Sequence, residues 1–288
     1  MTPSAIDAMP WPVPPTETRS REDLRRHYEI EKSLSDRLRR ATTQERRTLY
    51  GEVYDELFRR VDLPTLDPES RRQVAALEGR ALEPLLTPDC VFLEIGAGDG
   101  ALALEVAARV RRVVAVEASA ARVPRDRPAN FELVLSGSLE LPLGDAGVDV
   151  AYSCHFLEHL HPDDAPVHAA QVRRVLRPGG RYLCVTPNRL WGPHDVSRSF
   201  DDAPAGLHLR EYTHGELARL LRRAGFRRAA ALRLGGTPRP VSVAPYAALE
   251  GVLGLLSPGW RRRLLPLVLR GGREPFRPLE QVKVVATA

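Results

Sequence analysis

Val91-Phe-Leu-Glu-Ile95 runs without a break into Gly96-Ala-Gly98-Asp-Gly100 and then into Ala101-Leu-Ala-Leu104. A short β-branched and apolar run of this kind suits a strand buried in a parallel sheet. Glycine permits a positive φ and lets a ligand approach the backbone closely. Strand, glycine turn and helix in that order are the context that makes a glycine motif credible. The next β-branched run, Val113 to Val116, ends at Glu117, 19 residues after Gly98. At the carboxyl end of a neighbouring strand, such an acid can accept two hydrogen bonds from ribose hydroxyls.

Outward from this stretch the same alternation continues. Phe131 to Leu135, Val148 to Tyr152 and Arg181 to Val185 read as further strands, and Gly100 to Arg109 and Asp163 to Leu176 as helices between them. Ala120 to Pro128 is too broken by proline for a helix. The pattern predicts a doubly wound α/β domain. A helix over Thr213 to Ala224, with Gly225 as C-cap, precedes strands near Ala229 to Leu234 and Val282 to Ala286, with residues 236–279 inserted between them. Upstream, Ser20 to Arg60 carries leucines at helical spacing, and Thr42 with Glu45 forms a capping box that splits it into two helices. A third helix is expected from Ser70 to Leu86, with Val74, Leu77, Leu82 and Leu85 inward and Pro88 closing it. The predicted organisation is a flexible proline-rich leader (1–19), a helical lid (20–88), the α/β core (89–235), a helical insertion or substrate cap (236–279) and a last core strand (280–288).

Composition sets the bounds. The chain has 288 residues, 43% of them apolar and 27% charged, enough for a sizeable core and too much for wholesale disorder. Cys90, Cys154 and Cys184 form no paired framework and no CxxC, which predicts a reducing, cytoplasmic setting and no thiolate metal site. Met1 to Thr18 lacks the pattern of a signal peptide, and Val241 to Gly259 is interrupted by Pro245, Glu250 and Pro258, so no spanning helix is expected. Leu217 to Arg273 holds 12 arginines against Glu250 alone, so the basic character is local. Such a tract is a solvated face, or it meets nucleic acid, an anionic membrane surface or an acidic protein.

Two ligands share the strand-glycine-acid arrangement. Gly96-x-Gly98-x-x-Ala101 passes the dinucleotide fingerprint, which would make the protein an NAD-dependent oxidoreductase. Glu94 before the first glycine, the alternation of glycines at 96, 98 and 100, and the long helical leader tilt the reading elsewhere. With Leu141-Pro-Leu143, Val148-Asp-Val150, Leu157-Glu-His159, Leu176-Arg-Pro-Gly-Gly180, His208-Leu-Arg-Glu-Tyr-Thr213 and Ala224-Gly-Phe226, the chain resembles the class I S-adenosylmethionine-dependent methyltransferases over roughly Asp89 to Phe226 plus the last strand. The resemblance implies a Rossmann-like seven-stranded sheet with its last strand antiparallel, and S-adenosyl-L-methionine across the carboxyl ends of the first strands. Gly96, Ala97 and Gly98 would pass beneath the methionine part, Glu94 would orient the loop or the amino group, and Glu117 with Ala118 would hold the ribose. Many relatives carry an aspartate after the third strand; here Gly137 is followed by Ser138. Ser138 and Leu139 are the substitutes for the adenine, and Cys154 and His155 would flank the sulfonium.

A small-molecule acceptor, a secondary metabolite or lipid-like compound, follows from the same resemblance. RNA methylation, motivated by the basic tract, has against it the lack of an RNA-binding module and of stacking aromatics; a non-catalytic cofactor-binding protein is the third reading. An oxygen or carbon acceptor benefits from a general base, and His155, His194 and His208 are the candidates, the last two in the region after the fifth strand; an amine or thiol needs none. Tyr28, Tyr50 and Tyr54 belong to the expected lid, and residues 244–273 could instead meet a membrane surface or an acidic carrier protein. His155-Phe-Leu-Glu158-His159 also matches an inverted zinc-peptidase pattern, with His161 nearby. Such sites need the histidines on one helical turn plus a third ligand, whereas this segment starts at a strand end and Pro162 interrupts soon after His161, so no metal is expected.

Overall fold

β1 (Val91–Ile95) is buried along its whole length and pairs in parallel with two neighbours, β2 (Arg112–Glu117) and β4 (Val148–Cys154). The computed structural model describes residues 17, 19–63, 67–118, 123–137, 139–233, 238–261, 263–264 and 281–288. Around β1 the sheet grows in the order β3-β2-β1-β4-β5-β8-β6-β7, with β3 at Phe131–Leu135, β5 at Leu176–Pro187, β6 at Arg228–Arg233, β7 at Arg239–Val241 and β8 at Gln281–Thr287. β1 to β5 are parallel, and β8 lies antiparallel between β5 and β6. The predicted seven-stranded sheet is therefore present with one addition. β7, three residues with a proline at its centre, pairs outside β6 and makes eight strands. So short a run carries no strand signal of its own, which is why the sequence reads as insertion there.

Helices cover both faces. α3 (Pro68–Leu82) and α4 (Ala101–Ala107) share one core with Phe92, Val113 and Ala115. On the other face α1 (Arg21–Arg40), α2 (Thr43–Arg60), α5 (Asp164–Val175) and α6 (His214–Arg223) bury Leu34, Val53, Val172 and Leu217 against Leu93, Ile95 and Val114. The Thr42–Glu45 capping box starts α2 as expected, and a second one, Thr213 with Glu216, starts α6. Gly225 follows α6 at φ +96°, in the left-handed conformation expected of a C-cap.

α3 departs from expectation. Val74 and Leu77 are 43% and 65% exposed, and the inward stripe is Ala75, Gly79 and Leu82. Close approach to α4 selects these small residues, because a Cβ on Gly79 would stand 3.3 Å from Glu105 Cγ. The segment Leu176-Arg-Pro-Gly-Gly180 lies ahead of the strand expected from Arg181. It already opens β5, with Leu176 opposite Val148.

α2 is tied down by charge. Arg46, 2% exposed, meets Asp164 at the start of α5 through two contacts of 2.5 and 2.9 Å, and Tyr50 Oη donates to the same carboxylate at 2.8 Å. The His161 amide donates to Tyr50 Oη at 2.8 Å, closing the network. α7 (Ala244–Gly254) packs on α6 and on the Arg189–Trp191 turn. Of the expected leader, residues 1–16 and 18 lie outside the described residues, as do Leu234 and residues 265–280.

Candidate active site

Strand register brings the glycine loop and the acid together. Ile95 stands opposite Val116, and the Gly96 amide donates to the Val116 carbonyl at 2.9 Å. Two residues on, the Gly98 amide donates to Glu117 Oε2 at 2.7 Å, while Glu117 Oε1 accepts from the Ala118 amide at 2.8 Å. Gly96 has φ +69°, and a Cβ there would stand 2.7 Å from the Phe156 ring. Gly98, at φ +59°, has no atom within 4 Å of its missing Cβ, so the loop presents bare backbone to open space.

That space is a cavity of about 220 Å³ over the carboxyl ends of β1, β2 and β4. Gly96, Gly98, Glu117 and Ala118 form one side, Ser136, Gly137, Leu139 and Leu141 follow β3, and His155, Phe156 and His159 follow β4. α2 supplies the remaining wall with Tyr50, Tyr54, Asp55 and Phe58. Gly137, which follows β3, lies against this helix, since a Cβ there would be 3.7 Å from Gly51 Cα.

Six of the ten residues expected to hold the cofactor thus line one cavity: Gly96, Gly98, Glu117, Ala118, Leu139 and His155. Ala97 turns into the core of the opposite face. Glu94 is buried, its Oε2 without a partner, and burial, reinforced by Glu78, pushes its carboxyl well above the usual range. Cys154 ends β4 beside that pair, its thiol likewise raised by burial and by Glu78. Ser138 lies outside the described residues.

The histidines divide. His155 sits at φ +51°, an uncommon conformation for a residue with a Cβ, and its Nδ1 is 3.1 Å from Glu158 Oε1. His194 and His208 do not line the cavity. The His194 amide donates to Glu211 and its Nε2 donates to the Asn188 carbonyl at 3.0 Å. His208 Nδ1 meets Glu211 at 2.8 Å, and although burial acts to lower it, Glu211, Glu158 and Asp195 hold its imidazole up at about 9. Burial of Glu158 is outweighed by His155, His159 and His208, which bring its carboxyl down to about 2. Of the expected lid tyrosines, Tyr50 and Tyr54 face the cavity, whereas Tyr28 bonds Asp201 and packs on Phe200.

Three lining residues, Phe156, His159 and His168, were not among the residues expected at the site. Phe156 seats Gly96, and His159 packs edge-on against Tyr54 with ring centroids 5.9 Å apart. Tyr54 Oη is buried without a partner. His168, on α5, is 1% exposed with neither ring nitrogen hydrogen-bonded, and burial pushes it down to about 4. In sequence it is one histidine among alanines, with no signal that the loop after β3 folds over it.

The sheet order, the antiparallel last strand and a glycine loop clasped by the acid of β2 are the arrangement that the resemblance to class I S-adenosylmethionine-dependent methyltransferases implies. Residues 93–184 match the family model described as a methyltransferase domain. A "probable S-adenosylmethionine-dependent methyltransferase" of Mycolicibacterium smegmatis is 39% identical over 137 residues, 46% of this chain and 51% of that protein. A malonyl-[acyl-carrier protein] O-methyltransferase of Xylella fastidiosa is 29% identical over 132 residues, 42% of this chain and 43% of that protein. The chain spans about half the length of the curated relatives it matches. Among solved structures, a Haloferax volcanii complex of a methyltransferase with its activator aligns with TM-score 0.52 at 17% identity, covering 76% of this chain and 90% of that one. A SAM-dependent methyltransferase of Thermotoga maritima aligns with TM-score 0.50 at 18% identity, covering 83% and 97%. At these identities the structures speak for the fold.

Proposed function

We propose that the protein transfers a methyl group from S-adenosyl-L-methionine to a small-molecule acceptor. The observation that carries this reading is the 2.7 Å hydrogen bond from Gly98 to Glu117 at the cavity, which joins the glycine bend to an acid that can accept from ribose hydroxyls. The residues present fit an adenosyl ligand. Gly98 offers an open cradle, Glu117 a carboxylate, Leu139 and Phe156 apolar walls, and His168 two ring nitrogens in want of a partner. When bound, the sulfonium supplies an already activated methyl carbon. The chain then has to position the acceptor in line and keep water out, and proximity is the main catalytic term. Tyr54 and Phe58 of α2 line the cavity and would serve this reading as part of a lid.

The acceptor enters beside His155 and His159, the polar side of the cavity. Calorimetry with S-adenosylhomocysteine, followed by transfer of labelled methyl to a panel of oxygen, nitrogen and sulfur acceptors, tests the proposal. Binding of NAD with no binding of S-adenosylhomocysteine would reinstate the oxidoreductase reading. Binding without transfer to any acceptor would make the protein a sensor. An acidic carrier protein as the bearer of the acceptor draws support from Leu249, Val252, Leu255 and Trp260, exposed in and after α7 within the basic tract. No helix of the described residues is long and apolar enough to cross a membrane.

A further inference from the structure

Glu158, His159 and His208 each offer one donor atom, and the three atoms lie within 4.8 Å of one another. Sequence separates His208 from the other two by almost fifty residues. The fold brings it in because the loop after β5 returns beneath the turn after β4, where the Arg210 amide donates to the Glu158 carbonyl at 3.1 Å. Every donor is oriented from behind. His159 Nδ1 donates to the Leu207 carbonyl at 3.1 Å, and His208 Nδ1 meets the buried Glu211 carboxylate at 2.8 Å, so each ring turns Nε2 toward the cluster. Glu158 Oε2 accepts from Thr186 Oγ1 at 3.0 Å. A carbonyl or carboxylate behind each imidazole is the arrangement that fixes ring and tautomer in metal sites.

We propose that these three side chains form a divalent-cation site at the edge of the cofactor cavity, with His155 as a fourth donor at its mouth. Two imidazoles and one carboxylate suit zinc or manganese better than calcium or magnesium, and three protein ligands leave a coordination position open. At the 4.8 Å limit the centre of the triangle stands about 2.8 Å from each donor, against about 2.0–2.2 Å in zinc sites, so the side chains close in by less than an ångström. His155 Nδ1, 3.1 Å from Glu158 Oε1 on a 47% exposed side chain, can swing to the same ion. Glu31, Asp195 and Glu211 add negative charge around the cluster, which a cation neutralises.

The consequence concerns the acceptor, and this part rests on the methyl-transfer reading. His159 belongs to both the cavity wall and the cluster, so an open metal position faces the acceptor space. A cation there binds a hydroxyl oxygen and lowers its pKa. The hydroxyl proton leaves to water, the oxygen lone pair forms the new bond to the methyl carbon, and the carbon–sulfur bond breaks with its electron pair returning to sulfur. The acceptor class is therefore an alcohol, phenol or enol, with a second oxygen adjacent where it chelates.

Tag-free protein stripped with a chelator and reloaded with zinc or manganese should retain about one equivalent of metal per chain by elemental analysis. Cobalt loading should produce the visible absorption of a low-coordinate nitrogen–oxygen site. His159→Gln and His208→Gln, each checked for native circular dichroism, should lower zinc affinity at least 100-fold, and Glu211→Gln about 10- to 100-fold, the usual effect of losing a partner behind a ligand. Should either histidine variant fail to fold, His155→Gln, at the exposed position, should still lower affinity measurably. Wild type that retains no metal after reloading overturns the site, as does stoichiometric metal that survives both histidine substitutions. S-adenosylhomocysteine binding is measured on the stripped protein, so loss of the metal claim and loss of the cofactor claim are read separately.

Discussion

Glu117 spends both carboxylate oxygens on the loop it faces, one on Gly98 and one on Ala118. Glu117→Ala therefore removes a ribose partner and a loop clasp together. The expected loss in S-adenosylhomocysteine binding is about 1.5–3 kcal/mol, the worth of hydrogen bonds to a charged group. Calorimetry on folded variant protein checks it, and unchanged affinity takes Glu117 out of the site. His168 yields a pH dependence. It stays neutral in the fold down to about pH 4, whereas the unfolded chain takes up the proton near pH 6.5. The unfolded state then binds more protons between these values, so this contribution to stability is intact above about pH 6.5 and is lost as pH falls toward 4. Urea midpoints measured from pH 7 to 4 should drop less steeply in His168→Asn than in wild type. Legibility at this scale follows sequence distance. Gly96, Gly98 and Glu117 could be read because one strand register joins them, whereas His168 and the pairing of His159 with His208 depend on loops that no local pattern encodes.

Among the elements, α2 bears most on the cavity and is the most dependent on one contact. Replacing Asp164 by alanine leaves the Arg46 guanidinium buried without a counter-charge, a change that costs about 3–5 kcal/mol. Hydrogen exchange should localise the loss to α1 and α2 before β1, because the parallel strands do not lean on that pair. The helices themselves were legible from leucine spacing and the Thr42 capping box. Their faces were less so: in α3 the bulky Val74 and Leu77 point outward and Ala75 and Gly79 inward, since approach to α4 outranks apolar bulk. β7 gave no signal because three residues cannot show a period.

For the molecule as a whole, the cavity is shared between the sheet and a helix that precedes it in sequence. Ligand at 100 times its dissociation constant should raise stability by about 2.7 kcal/mol. It should also slow amide exchange in α2 as well as in residues 96–118. Protection confined to residues 96–118 would show that α2 is not a wall of the occupied site. The order of strands was legible from the family resemblance, and the route by which α2 reaches Gly137 was not, because it is set by a contact between two glycines, Gly51 and Gly137, that carry no side-chain pattern.

One end of the sheet also shapes how the molecule meets its own copies. β7 offers only three residues to an incoming strand, and Pro240, in the middle, has no N–H to donate, with Arg239 charged beside it. A ribbon approaching from solution finds no template there, which is how natural sheets avoid growing into fibres. Among the described residues the opposite margin, β3, is longer and exposes Leu135, so any assembly through backbone pairing has to begin on that flank.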